Sequence, residues 1–188
     1  AKRAQIGGML SPMELMEIAS TIRASRILRN FIEDIEAEED IKIPHFVERK
    51  EQMPVLTGLQ HEINDCIDEN GAVLDSASSA LRSIRQSLRA EEAKVRQKLE
   101  SLIRGSNAAK MLSDAIITIR NDRFVIPVKQ EYRGHYGGIV HDQSSSGQTL
   151  FIEPDAVVQA NNEVQRLKVK EQAEIERILL ELSVKVQE

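Results

Sequence analysis

Leu81, Leu88, Val95 and Leu102 recur at strict seven-residue spacing, with Ile84 between them. That period places all of them on one face of a helix running from Asp75 or Ser76 to about Arg104,. A stripe of that kind, roughly 45 Å long at the rise of an α-helix, requires a partner helix along its length. The other end of the chain supplies one. From Pro154 to Glu188 a second one-sided stripe carries Val157, Ala160, Val164, Leu167, Ile175, Ile178, Leu182 and Val186. Polar residues interrupt both stripes midway, Glu91 and Glu92 in the first and Lys168, Lys170 and Glu171 in the second. An antiparallel pair would bring these interruptions together as matched polar layers of opposite charge.

Composition agrees with a helical chain. Aromatic residues make up 3%, Trp is absent and 29% of residues are charged, which is the profile of long helices and not of a sandwich or barrel,. A length of 188 residues suits one core, or one core with a projection,. Residues 1–74 read as a helical core segment. Ser11, Pro12 and Glu14 form a helix start of the capping-box type,. The helix it opens runs to about Glu36, and its stripe of Leu15, Ile18, Ala19, Ile22, Ile27, Phe31 and Ile35 reads as core,. A charged loop follows at Glu36–Asp40, then a break at Ile43-Pro44 and more helix to about Asp68,. The single Cys66 lies in an apolar-periodic segment and reads as a buried thiol of a reducing compartment,. No segment resembles a signal peptide or a membrane span, so a cytoplasmic location is expected. The chain begins without Met and ends within a stripe, and a piece of a longer protein is the expectation.

Residues 106–153 are different in kind. Four short β-branched or aromatic runs occur there: Ile116–Ile119, Arg123–Ile126 continuing to Tyr132, Gly138–His141 and Gln148–Ile152,. Turn residues separate them at Asn121-Asp122, Gly134 to Gly138 and Ser144 to Gly147,. The expected fold is mainly α with a small antiparallel β meander. A helical core carries a long antiparallel hairpin of residues 75–105 and 154–188, tipped by the β head of residues 106–153.

The stretch GGIVHDQSSSGQTLFIEP, residues 137–154, gathers a histidine, an aspartate and three serines. It does not read as an active site. His141 and Asp142 are neighbours on a strand, so their side chains leave opposite faces and cannot form a relayed pair. A phosphate loop of the Walker type is also excluded, because Gly147 is followed by Gln-Thr and a strand in place of Lys and a helix,. The serines and Gly147 instead form a tight turn whose hydroxyls and amides suit phosphate. His45, His61, His135 and His141 lack ligand spacing, so neither a metal site nor a catalytic residue is assigned,.

Charge is unevenly distributed. Residues 33–69 hold 12 acids against 3 bases, whereas residues 76–110 hold 8 bases against 3 acids. Lys129, Arg133, His135, Tyr136 and His141 lie on or beside two turns of the head and are the candidate nucleic-acid-binding residues,. Two readings stand side by side. In one, head and stalk grip a phosphate backbone; in the other, they form a mechanical or protein-contact module with negligible nucleic-acid binding of its own.

The run from Ile119 to Arg133, the stretch GGIVHDQSSSGQTLFIEP and the following Asn161-Asn-Glu-Val closely resemble the central region of the MutS type-two family, bacterial relatives of the mismatch-repair protein MutS. IGGMLSP at residues 6–12 and MLSDAIITIRNDRFVIPVK at residues 111–129 extend the resemblance over essentially the whole chain. It implies core, lever helices and clamp, in which the stalk is the lever and the head the clamp. It further implies a homodimeric ATPase, using ATP and magnesium, that clasps branched DNA to suppress recombination or engages the RNA of collided ribosomes. An Smr endonuclease domain belongs to the same pattern. This stretch has neither the Walker loop nor that domain, so no ATPase or nuclease activity and no cofactor are expected of it alone.

Overall fold

The computed structural model describes residues 7–38 and 43–187. Glu39 and Asp40 of the expected charged loop, Ile6 of the IGGMLSP run and the terminal Glu188 lie outside the described residues. Contacts divide the chain into two compact units, one running through Arg82 and resuming at Ala173, the other Ser83–Gln172.

In the first unit, helix α1 spans Pro12–Glu36. Its start is a complete capping box. The Ser11 hydroxyl accepts the Glu14 N–H at 3.3 Å, and the Glu14 carboxylate accepts the Ser11 N–H at 2.8 Å, so two amides that a helix start would leave bare are satisfied,. Helix α2, Pro44–Glu51, is tied to α1 by Arg29, whose guanidinium donates to the carbonyls of Lys50 and Met53 at 3.0 Å each, and by Lys50 against Glu36 at 2.7 Å. Helix α3, Thr57–Cys66, follows, and the chain then reverses so that Ile67 bridges Val73. Leu10, Leu15, Ala19, Ile63, Ile67, Leu81, Ile178 and Leu182 form this unit's core. Cys66 lies half-buried against it, and burial, with Asp65, Glu181 and Glu62 next, pushes its thiol pKa up.

The expected core stripe of α1 is only half realised. Leu15 and Ala19 are buried, but Ile27 is 57% and Phe31 58% exposed. The cause is the placement of α2, which binds the face carrying Arg29, Glu33 and Glu36 and so leaves the opposite face uncovered,. Phe31→Ser should therefore change the urea-unfolding free energy of this chain by no more than about 0.5 kcal/mol, as at ordinary surface positions.

Helix α4, Ser79–Ile103, and the final helix, Asp155–Gln187, contribute to both units. Within the second unit they run antiparallel, since Arg85 meets Glu171 at 2.7 Å and Lys98 donates to the Ala156 carbonyl at 3.3 Å. The charged layer differs from the expected one. Glu91 pairs with Lys94 on its own helix, and the cross-seam partner of Glu171 is Arg85. After α4 come the single-turn helix α5, Ala108–Met111, and strands β1, Thr118–Arg120, and β2, Arg123–Lys129. A 3-10 turn, Gln130–Tyr132, leads into the single-turn helix α6, Arg133–Tyr136, where the sequence suggested only a turn. Strands β3, Ile139–Gln143, and β4, Thr149–Glu153, precede the last helix, α7.

All strand pairs are antiparallel, in the order β1-β2-β4-β3. Asn121 and Asp122, with φ of 49° and 61°, make the two-residue hairpin turn between β1 and β2; Asn and Asp tolerate that left-handed geometry best after glycine,. Phe124 through Val128 are buried without interruption, as suits β2's place as one of the two interior strands,. Phe124, Ile126, Val128, Leu150 and Ile152 of the sheet join Val95 and Leu99 of α4 and Val157 and Val164 of α7 in one core.

Candidate nucleic-acid interface

A cationic cluster forms at one end of the sheet because the chain pairs with β2 before β1 begins. Leu112 bridges Val128, and the Ser113 N–H donates to the Pro127 carbonyl at 3.0 Å. This brings Lys110 to the end of β2, where the Lys129 ammonium donates to the Lys110 carbonyl at 2.9 Å. The Lys110 ammonium in turn stands 5.8 Å from the centre of the Tyr132 ring, within cation–π range,. Arg133 and His135 follow on α6, both exposed. Tyr136 is half-buried on the core, and the His135 ring meets it edge-on at 5.0 Å. Burial pushes the Tyr136 phenol pKa up, so at neutral pH it remains a hydrogen-bond donor,.

Lys129, Arg133, His135 and Tyr136 are thus collected at one end, joined by Lys110 and Tyr132, which the sequence reading did not single out. The Leu112–Val128 bridge that recruits Lys110 has no local signature in the sequence. Arg133 forms no ion pair among the described residues, and neither Lys110 nor Lys129 has a carboxylate partner there. By contrast, Arg120 meets Asp142 at 3.0 Å and lies 4.2 Å from the Phe151 ring centre.

His141 points elsewhere. A β-bulge between Val140 and Asp142 leaves it as the extra residue opposite β4 and turns its ring inward,. Its Nε2 lies 2.5 Å from an oxygen of Glu153, which is completely buried. The other Glu153 oxygen meets Arg123 at 3.0 Å, and the same Arg123 nitrogen donates to the Asn162 side chain at 2.7 Å. Beside this network Asn161, 1% exposed, accepts the Phe124 N–H at 3.4 Å and donates to the Phe124 carbonyl at 3.1 Å. Gln165 donates to the Asp122 carbonyl. These contacts bind the sheet to α7, which accounts for His141, Glu153, Asn161 and Asn162 as a joint.

The serine turn is closed by its own bonds. The Gly147 N–H donates to the Ser144 carbonyl at 2.8 Å and the Ser144 hydroxyl accepts the Thr149 N–H at 3.1 Å, while Ser145 and Ser146 face solvent. Among the described residues no group of three or more His, Cys, Asp or Glu could hold a metal ion, and no helix is long and apolar enough to cross a membrane.

Endonuclease MutS2 of Geobacillus sp. (strain WCH70) is 63% identical over 182 residues, which is 97% of this chain and 23% of that protein. This chain belongs to the MutS2 family. Two further MutS2 proteins show the same span: that of Halalkalibacterium halodurans is 60% identical over 100% of the chain and 24% of its own length, and that of Bacillus cytotoxicus 57% over 98% and 23%. The chain therefore spans about a quarter of the length of the MutS2 relatives it matches. No family model matches it. The MutS2 matches run through both units, so the Glu153 joint and the cationic end both lie in the matched stretch.

Proposed function

We propose that this segment is the lever and clamp of a MutS-like ATPase, and that its cationic end grips the phosphate backbone of nucleic acid. Residues 75–105 and 154–188 act as the lever and 106–153 as the clamp. The observation that carries the reading is Arg133, exposed and, among the described residues, without a carboxylate partner, beside Lys110 and Lys129, which also lack one there. Such contacts release condensed counterions and give salt-sensitive, sequence-tolerant binding. The targets are branched DNA or the RNA of a collided ribosome. In the full-length protein, a homodimer using ATP and magnesium, two clamps would close on one target and avidity would multiply their modest affinities. Cleavage would belong to the endonuclease domain outside this segment.

The Glu153 joint favours a second reading, in which a sheet fastened to α7 transmits force or contacts protein and the cations serve only solubility. A double charge reversal separates the two. Lys129→Glu with Arg133→Glu in the full-length protein should weaken binding to branched DNA and to ribosomes more than tenfold. It should also flatten the slope of log affinity against log salt by about two, near one per lost phosphate contact. Circular dichroism should be unchanged, since Arg133 is exposed and the Lys129 side chain makes one carbonyl bond. Normal binding by the double variant at physiological salt would leave the force-transmitting module as the function.

A further inference from the structure

A cleft of about 210 Å³ opens beside the cationic cluster, between the turn that follows α4 and helix α6. Leu102 and Ala108 give it an apolar floor, Tyr136 and His135 an aromatic wall, and Ser106 and Asn107 a polar rim. The Ser106 and Asn107 side chains form no hydrogen bond with the described residues. The cleft is smaller than the roughly 300 Å³ at which drug-sized sites begin, so it suits one flat heterocycle. We propose that it takes a single unpaired nucleobase while Lys110 and Arg133 hold the adjoining phosphates.

The chemistry of each wall supports that ligand. Tyr136 and His135 offer ring surface to a base, and stacking of this kind tolerates any base because each has a π-face. The Asn107 amide carries both donors and an acceptor, which matches the mixed edge of a base. Lys110 lies three residues after Asn107 and Arg133 two before His135, so cations flank the cleft on both of its chain segments. A base within a continuous duplex is stacked and paired and cannot enter without the cost of flipping out. The segment should therefore prefer single strands, gaps and branch points over uninterrupted duplex. This inference rests on the phosphate grip proposed above and adds to it what lies between the phosphates.

The chain contains two tyrosines and no tryptophan, so its intrinsic emission reports this end of the sheet directly. In Tyr132→Phe, Tyr136 is the sole reporter. Oligothymidylate should quench it, whereas inorganic polyphosphate and a blunt duplex should bind without quenching. At equal salt oligothymidylate should bind at least about fivefold more tightly than the duplex, the lower end of what one stacked base contributes. Tyr136→Leu and, as a variant at an exposed position that keeps the fold, Asn107→Ala should each reduce that preference and leave polyphosphate binding unchanged. If polyphosphate and oligothymidylate bind alike and neither quenches, the base-binding cleft is refuted while the grip stands. If none of the three probes binds, grip and cleft both fall.

Discussion

Glu153→Ala should lower the stability of the second unit by about 3–5 kcal/mol, the cost of removing one partner from a buried ion pair. Glu153 is completely buried, with one oxygen 2.5 Å from His141 and the other 3.0 Å from Arg123. Truncation leaves Arg123, whose side chain is 23% exposed, with Asn162 alone, and it leaves the His141 ring facing a void. The loss thus combines a stranded charge, a stranded ring nitrogen and a cavity. Amide exchange along β2 and β4 measures it directly, because local opening reports the unit that carries the lesion. Glu153→Gln, which keeps the volume and one acceptor, should lose less than the alanine variant. A loss below about 1 kcal/mol for alanine would show that the network is solvated and not a joint.

Gly138→Ala should cost about 3–5 kcal/mol, more than most single methyl additions, because two separate penalties act on it. Gly138 has φ of +80°, a region that strains any residue with a Cβ,. The added carbon would also stand 2.0 Å from the Glu153 carbonyl oxygen and 2.8 Å from the Asp155 nitrogen. Both are backbone atoms where β4 passes into α7, so relief requires moving the strand end, and with it Glu153. Gly134 is the control. A Cβ there meets nothing within 4 Å and its φ is not positive, so Gly134→Ala should be neutral or stabilising by about 0.4–1 kcal/mol through the unfolded chain,. Thermal or urea unfolding of the two variants side by side checks both expectations. Equal effects would mean that the close approach at Gly138 is not a constraint.

Most individual elements were legible because their causes lie within a few residues of one another. The capping box at Ser11 and Glu14, the stripe from Leu81 to Leu102 and the Asn121-Asp122 turn each act over less than a heptad or through a fixed repeat, and the helices and hairpin appear where those signals place them,. The candidate site was legible only in part. Lys129, Arg133, His135 and Tyr136 fall together because they are neighbours in sequence, but Lys110 reaches them through a bridge between Leu112 and Val128 that no pattern announces. His141 read as a strand residue and a candidate nucleic-acid contact, and its commitment to Glu153 depends on a bulge, which removes the period-2 rule on which strand reading rests,.

The amino-acid sequence by itself determined most of the helices and strands, though not all their ends, and the family to which the chain belongs, since each of these depends on local chemistry or on long runs of identity. Tertiary structure alone decided which faces are covered. Ile27 and Phe31 carry the same periodic signal as Leu15 and Ala19 yet stay exposed, because α2 settles on the Arg29 side of α1. Glu153 carries the signal of a polar strand end yet is wholly buried, because Arg123 and His141, 30 and 12 residues away, converge on it. Burial of a side chain is set by what distant segments bring to it, and a periodic pattern records only that a face is apolar.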